Sequence, residues 1–201
     1  MDKLYITLEK GQKIFFTSDP HYGHRNILNF CHRPFADTKE MEKALIDNWN
    51  SVVGDNDIAF ILGDVMWFEG RNDCKKVLEQ LKGKEIHIIP GNHDNKETFE
   101  YLSDRFIIHD SIVQLWVKTF NGTNEMFLCH TPQATWPHWE KKAAHFFGHI
   151  HSGPRSECAV DIPGKDLQLK EGRCYDVGCD NNEYTPIEVR DIYKKLIYTW
   201  K

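Results

Sequence analysis

No two cysteines in this chain stand in a Cys-x-x-Cys spacing: Cys31, Cys74, Cys129, Cys158, Cys174 and Cys179 are scattered along it. That excludes a thiolate cage or a cysteine redox motif as the centre of its chemistry, and reduced thiols are expected. Cys129, next to His130, reads as a small buried strand residue. Also missing is an apolar run of membrane-spanning length, and Met1 to Lys10 alternates charged and apolar residues where a signal peptide would be apolar throughout. A cytoplasmic protein without a membrane partner is the expectation. Positive charge is not in excess: 25 lysines and arginines face 30 aspartates and glutamates, a net charge of -5. Such a balance offers no basic footprint for coating nucleic acid, which is therefore not the favoured partner, although cations held in a pocket would still attract phosphate. Repeats, low-complexity tracts and long linkers are absent as well. With 201 residues of which 40% are hydrophobic, residues 1–201 are expected to form a single domain around one substantial core.

What is present is a series of short apolar runs, each ending in polar residues. Leu4 to Leu8 and Lys13 to Thr17, separated by Glu9-Lys10-Gly11-Gln12, read as a hairpin whose second strand is aimed at Asp19. From Thr38 to Val53, Met41, Leu45, Trp49, Val52 and Val53 recur at helical spacing; Asp37 and Glu40 make a capping-box start and Gly54 a stop. Ile58 to Leu62 runs into Gly63-Asp64, and Glu85 to Pro90 into Gly91-Asn92-His93-Asp94, with a connecting helix expected over Asp73 to Leu81. This alternation predicts a sheet with its chemistry at the carboxyl edge. Beyond Phe106 the pattern turns β-rich: Ile112 to Val117 and Glu125 to Cys129 flank the turn dipeptide Asn121-Gly122, and Ala144 to Phe147 leads into Gly148-His149-Ile150-His151. Short strands around Cys158 to Ile162 and Tyr175 to Val177, a helix near Pro186 to Tyr193 and a terminal strand from Leu196 to Trp200 complete the expected elements.

Asp19-Pro20-His21 and His149-Ile150-His151 each place two metal-binding side chains two residues apart, a spacing that puts both on one side of an extended segment. Asp64, Asn92 and His130 supply further donors between them. Taken in order, Asp19-x-His21, Gly63-Asp64, Gly91-Asn92-His93-Asp94, His130 before Thr131-Pro132, and Gly148-His149-x-His151 resemble the calcineurin-like metallophosphoesterase superfamily. The stretch from Phe16 to Ile27, with Cys31-His32-Arg33-Pro34-Phe35 and Asn48-Trp49-Asn50 downstream, is similar to a small bacterial and bacteriophage branch of it.

The resemblance implies an α/β fold, a four-layer αββα sandwich of two mixed sheets flanked by helices. It also implies two divalent transition-metal ions, Mn, Fe, Zn or similar, at the strand ends. One ion would take Asp19, His21, Asp64 and His151, the other Asp64, Asn92, His130 and His149, with Asp64 bridging because a carboxylate has two oxygens to offer. The implied activity is hydrolysis of a phosphoric ester, diester ahead of monoester, by water that the cations activate. Its substrate would be a small phosphate ester or a nucleotide. His93 resembles the group that stabilises or protonates the leaving oxygen. Asp94 is expected to orient the His93 ring or to cap a helix near Lys96, or both. Asn92, His24, Arg25 and Arg33 are candidates for substrate contact, the guanidinium forks suiting phosphate oxygens.

Other residues have plainer readings. His32, His87, His109, His138 and His145 are taken as core or surface histidines, and Trp136 and Trp139 as packing residues before a stacking wall for a base. Asp176 occupies a position where the family often has asparagine and is expected to support the site. Two competing functions are a nuclease of the same fold, which would need a local basic groove, and a protein-interaction scaffold, which would have lost ligands or the catalytic histidine. Here all of those positions are filled.

Overall fold

The structure, a computed structural model, describes residues 1–67, 71–152 and 172–201. Among these residues, two mixed five-stranded sheets with flanking helices build the α/β fold. The strands are β1 (Asp2–Thr7), β2 (Ile14–Thr17), β3 (Ile58–Ile61), β4 (Glu85–Ile88), β5 (Phe106–Ile108), β6 (Ile112–Thr119), β7 (Gly122–Cys129), β8 (Ala144–Phe147), β9 (Cys174–Asp176) and β10 (Ile187–Glu188). One sheet has the order β10-β2-β3-β4-β5 and the other β1-β6-β7-β8-β9.

Strand alternation decides the layers. Ile14 and Phe16 of β2 and Ile58 and Phe60 of β3 point into the core between the sheets, where Leu115, Met126, Leu128 and Phe146 meet them. Phe15, Ala59, Ile61, Ile86 and Ile88 point the other way, towards the helices. Helices α1 (Ile27–Phe30), α2 (Thr38–Val52) and α3 (Arg71–Leu78) precede or follow strands of this first sheet, and α4 (Val189–Lys195) follows β10. The start of α2 resembles a capping box: the Glu40 N–H donates to Asp37 Oδ1 at 2.9 Å, and Glu40 Oε2 accepts from the N–H of Ala36, one residue before the cap, at 2.6 Å. Its buried face is Met41, Leu45 and Trp49, the expected stripe. Among the described residues no helix is long and apolar enough to cross a membrane.

Three expectations need correction. The first two strands make no hairpin: β1 pairs in parallel with β6 in one sheet, while β2 lies between β10 and β3 in the other. The turn at Glu9 to Gln12 is real, with Gln12 N–H donating to the Glu9 carbonyl at 3.2 Å. However, Ile14–Thr17 is buried on both faces and needs an interior position, whereas Asp2–Thr7 alternates and suits an edge. Leu196 to Trp200 is not a strand; the chain bends there until Lys201 reaches Asn124, with the Lys201 N–H donating to Asn124 Oδ1 at 2.9 Å. The helix expected from Pro186 begins only at Val189, after the short β10. The strand expected at Cys158 to Ile162 lies outside the described residues.

What matters for function is where the strands end. β2, β3, β4 and β5 are mutually parallel, so the loops after β2, β3 and β4 leave one edge together. β7, β8 and β9 of the second sheet are also parallel to one another. An isolated parallel bridge, Ser18 to Gly178, ties the two edges into one. Packing near that edge carries a pH dependence. His145 on β8 is fully buried; its Nδ1 lies 3.0 Å from the Phe127 carbonyl and its Nε2 accepts the Gln133 N–H at 3.1 Å, so the ring is neutral and has no site for a second proton. Burial pushes its pKa from 6.5 down to about 4. Because the folded value is depressed, the unfolded chain binds the extra proton between these values, and stability present above pH 6.5 is lost as pH falls towards 4, at about 1.4 kcal/mol per unit. In metal-free protein, His145→Gln, which offers a donor and an acceptor but no charge, is expected to flatten the loss of urea stability between pH 6.5 and 4 by on the order of 3 kcal/mol. An unchanged slope would assign the acid sensitivity to other groups.

Candidate metal centre

Backbone pairing continues past the strand ends and carries the first two motifs together. The Asp19 N–H donates to the Gly63 carbonyl, His21 N–H to Asp64 and Tyr22 N–H to Val65, each at 3.0 Å. Asp19 and His21 are not extended, however. Their φ angles are 58° and 51°, and those of His149 and His151 are 71° and 44°. The strand-alternation reading of the two-residue spacing is therefore wrong in mechanism: the side chains converge because both residues of each pair adopt the left-handed conformation. Asp64, at 49°, does the same. Five of the seven expected ligands thus occupy a backbone region that non-glycine residues rarely adopt and that gathers at functional sites.

The side chains form two adjoining groups. In one, ligand atoms of Asp19, His21 and His151 lie within 4.8 Å of one another; in the other, those of Asp64, His130 and His149 do. Asp64 Oδ2 stands between them, 3.6 Å from His21 Nε2 and 3.3 Å from His130 Nε2. Asn92 joins the second group, its Oδ1 3.0 Å from His130 Nε2. The structure therefore brings all seven expected ligand residues to one place.

Five of these donors, Asp19, His21, Asp64, His130 and His151, are held from behind. Asp19 Oδ2 accepts the His149 N–H at 2.9 Å, and Asp64 Oδ1 accepts the His93 N–H at 3.0 Å, leaving Asp19 Oδ1 and Asp64 Oδ2 facing the site. His130 Nδ1 lies 2.7 Å from the Leu62 carbonyl, His151 Nδ1 2.7 Å from Asp180 Oδ2, and His21 Nδ1 3.2 Å from His24 Nδ1. In all three rings this leaves Nε2 for the cavity. Asp19 Oδ1 and His21 Nε2 are buried and have no hydrogen-bond partner among the described residues. Such orphaned atoms are costly unless a ligand satisfies them, and imidazoles whose far nitrogen is tied to an oxygen are the usual form of metal-binding histidine. By this test the residues fit a pair of divalent cations.

Charge in the site is poised accordingly. Burial opposes ionisation of Asp64, but the His130 bond and charge, with the His93 N–H, outweigh it and hold the carboxyl well below its usual range. Burial likewise disfavours charged His130, yet Asp64 and Asp19 push it up to about 9. Asp180 similarly raises His151 against the effect of burial, and is itself lowered by His151 and Arg33.

Several assigned roles change. Arg33 does not face a substrate: its buried guanidinium donates to Asp180 Oδ1 and Oδ2 at 2.9 and 2.8 Å, to the Asp19 carbonyl at 2.7 Å and to the Pro20 carbonyl at 2.9 Å. It holds the first loop and Asp180 from below. Asp94 neither orients the His93 ring nor caps the turn Lys96–Thr98, which Asn95 caps; its two oxygens accept the Gly91 and Val65 N–H groups at 2.9 Å and lock the loop that carries His93 to the loop that carries Asp64. His24 backs His21, and Arg25 is exposed on the loop before α1. The His93 ring is partly exposed, with Nε2 4.0 Å from Asp64 Oδ2. Trp136 is buried and donates to the Ala143 carbonyl at 2.8 Å, so it is a packing residue. Asp176 receives the Gly178 N–H at 2.7 Å and the Ser152 hydroxyl, and burial pushes it up to about 6.

Sequence reasoning missed Asp180 and Trp67. Asp180 joins Cys31 and His151 in a third potential cluster, but Arg33 already neutralises it, which makes it a support for His151. Trp67 stacks on His24 with ring centres 4.6 Å apart. Its only sequence signal was an aromatic residue three places after Asp64.

Close approach of backbone explains the glycine at 148. A Cβ there would lie 2.1 Å from Ser18 Oγ and 2.2 Å from Asp19 Oδ2. Gly148→Ala is expected to lower unfolding stability by about 1–3 kcal/mol through overpacking. Because Asp19 must move, it should also weaken Mn binding by more than tenfold in calorimetry. Parent-like binding would show that the added Cβ is absorbed without displacing Asp19.

Comparison with known proteins adds an independent line. Residues 12–153 match the family model for calcineurin-like phosphoesterases. An uncharacterized protein of Methanocaldococcus jannaschii is 40% identical over 116 residues, covering 55% of this chain and 65% of that protein. The gene 66 protein of Mycobacterium phage L5 is 34% identical over 83 residues, 40% of this chain and 39% of its own length. The chain thus spans less than two thirds of the length of either relative. The crystal structure of a protein of unknown function from Aquifex aeolicus has a TM-score of 0.68 and 24% identity, covering 92% of this chain and 99% of that one, a likeness of fold.

Proposed function

This chain belongs to the calcineurin-like phosphoesterase family, and from that premise we propose that it is a metal-dependent phosphoric ester hydrolase acting on small phosphodiesters. The observation that carries the reading is the set of unpartnered or cavity-facing donors, Asp19 Oδ1, His21 Nε2, Asp64 Oδ2, His130 Nε2 and His151 Nε2, each on a side chain tied from behind. Asp19, His21, Asp64 and His151 would hold one cation, and Asp64, Asn92, His130 and His149 the other, Mn, Fe or Zn suiting this mixture of imidazole, carboxylate and amide. When bound, such a pair acidifies water and neutralises phosphoryl oxygens.

The chain's own residues supply the rest. Asp64, kept ionised, is shared between the two groups and fixes their separation. His93 sits at the open side of Asp64 with its backbone N–H spent on Asp64 Oδ1 and its ring available to the leaving oxygen. Protonated, the ring can donate to the alkoxide as the ester bond breaks, and an ester of a weakly acidic alcohol gains most from that proton. Asp94 keeps the loop in register. The test is reconstitution with Mn, Fe or Zn followed by parallel turnover of an aryl diester, an aryl monoester, cyclic nucleotides and single-stranded nucleic acid. Metal-dependent turnover with the diester ahead is expected. Absence of metal-dependent turnover on all four would overturn the enzyme reading in favour of an interaction scaffold.

A further inference from the structure

Beside the metal-ligand clusters the surface carries an aromatic rim. Trp67 is 48% exposed, and its backbone is pinned: its N–H donates to the Tyr22 carbonyl at 2.7 Å, next to an isolated parallel bridge between Tyr22 and Met66. Its indole lies on the His24 ring at 4.6 Å and 15°. His24 is itself fixed by His21, and the exposed Phe30 meets it edge-on at 6.5 Å. The His93 ring is 4.8 Å from Trp67. An immobilised indole with exposed area has already lost its rotamer freedom, so adding a planar partner costs little further order. Its position beside His93 places it next to the group assigned to the leaving oxygen. Meanwhile Arg33, one of the two arginines that sequence alone offered to the pocket, is consumed internally, and the other, Arg25, is exposed on the loop before α1. What the described residues present beside His93 is the π-face of Trp67.

Resting on the phosphodiesterase reading above, we propose that Trp67, buttressed by His24, is a stacking platform for a planar aromatic group, a nucleobase or an aryl ring, carried by the leaving alcohol of the substrate. Base–aromatic stacking changes affinity by roughly 5- to 150-fold per ring and tolerates any base. The substrate class is then a diester with one aromatic substituent, such as a nucleoside ester.

The test uses the Mn-loaded full chain and three methyl phosphodiesters whose leaving alcohols are of similar acidity: nucleoside 5′-, benzyl and cyclohexylmethyl. The parent is expected to favour the first two over the third in kcat/KM by roughly tenfold or more. Trp67→Ala should bring the ratios close to one, and Trp67→Phe should restore part of them. Equal preference for nucleoside and benzyl esters assigns the platform to any aryl group; a nucleoside lead assigns it to bases. No aromatic preference in the parent, or ratios unchanged in Trp67→Ala, overturns the proposal while turnover of the cyclohexylmethyl ester keeps the hydrolase reading intact. If no ester is hydrolysed, the hydrolase reading fails. Calorimetric binding of a nucleoside 5′-monophosphate against inorganic phosphate, in parent and Trp67→Ala, then decides the platform by itself. Mn affinity of the variants, measured alongside, separates lost stacking from a disturbed His24–His21 pair.

Discussion

Asp64→Asn is expected to abolish metal-dependent turnover, with Mn affinity falling by more than the roughly 10- to 100-fold that loss of an outer-shell partner produces. The substitution keeps shape and removes charge. The asparagine side chain would turn either an amide NH2 or a neutral oxygen towards His21 Nε2 and His130 Nε2, the two atoms 3.6 and 3.3 Å from Asp64 Oδ2. Neither choice can serve two cations as an ionised carboxylate does. A second readout needs no metal. His130 is raised to about 9 against the effect of burial, with Asp64 as its chief support, so in the metal-free variant its pKa should drop. Imidazole NMR titration reads this directly. Parent-like metal binding together with an unmoved His130 would remove Asp64 from the centre of the site.

His93→Ala should leave metal binding near the parent value and reduce turnover of a diester with a poor leaving group by about 10²- to 10⁴-fold, the usual range for a general acid. The separation is built into the structure. What His93 gives to the ligand cage is its backbone N–H, 3.0 Å from Asp64 Oδ1, and alanine retains it. What alanine removes is the partly exposed ring, which belongs to neither ligand cluster. The defect should shrink as the leaving group becomes more acidic, since nitrophenolate departs without a proton. A loss independent of leaving group, or loss of metal with unchanged intrinsic rate, would make His93 a structural residue.

Legibility from sequence followed the range of the interaction. The runs Ile58 to Leu62, Glu85 to Pro90 and Ala144 to Phe147 were readable because burial on both faces leaves a continuous apolar signature, and the α2 stripe because its period is local. The convergence of the seven candidate ligand residues was readable because each follows such a run. Arg33 misled because an arginine near a phosphate motif reads as a phosphate fork. Nothing around it in the chain announces that Asp180, 147 positions later, will occupy both arms.

By itself, then, the order of residues determined which segments are buried, where each one stops, and which donor side chains stand at those stops, since hydrophobic period and donor chemistry are properties of neighbours along the chain. Only the tertiary structure decided that β1 joins the second sheet, that five candidate ligand residues turn left-handed to face one another, that Asp180 holds His151, and that Trp67 stands at the rim. Those outcomes depend on partners far apart in sequence, and a residue's own neighbours carry no record of which distant group will satisfy it.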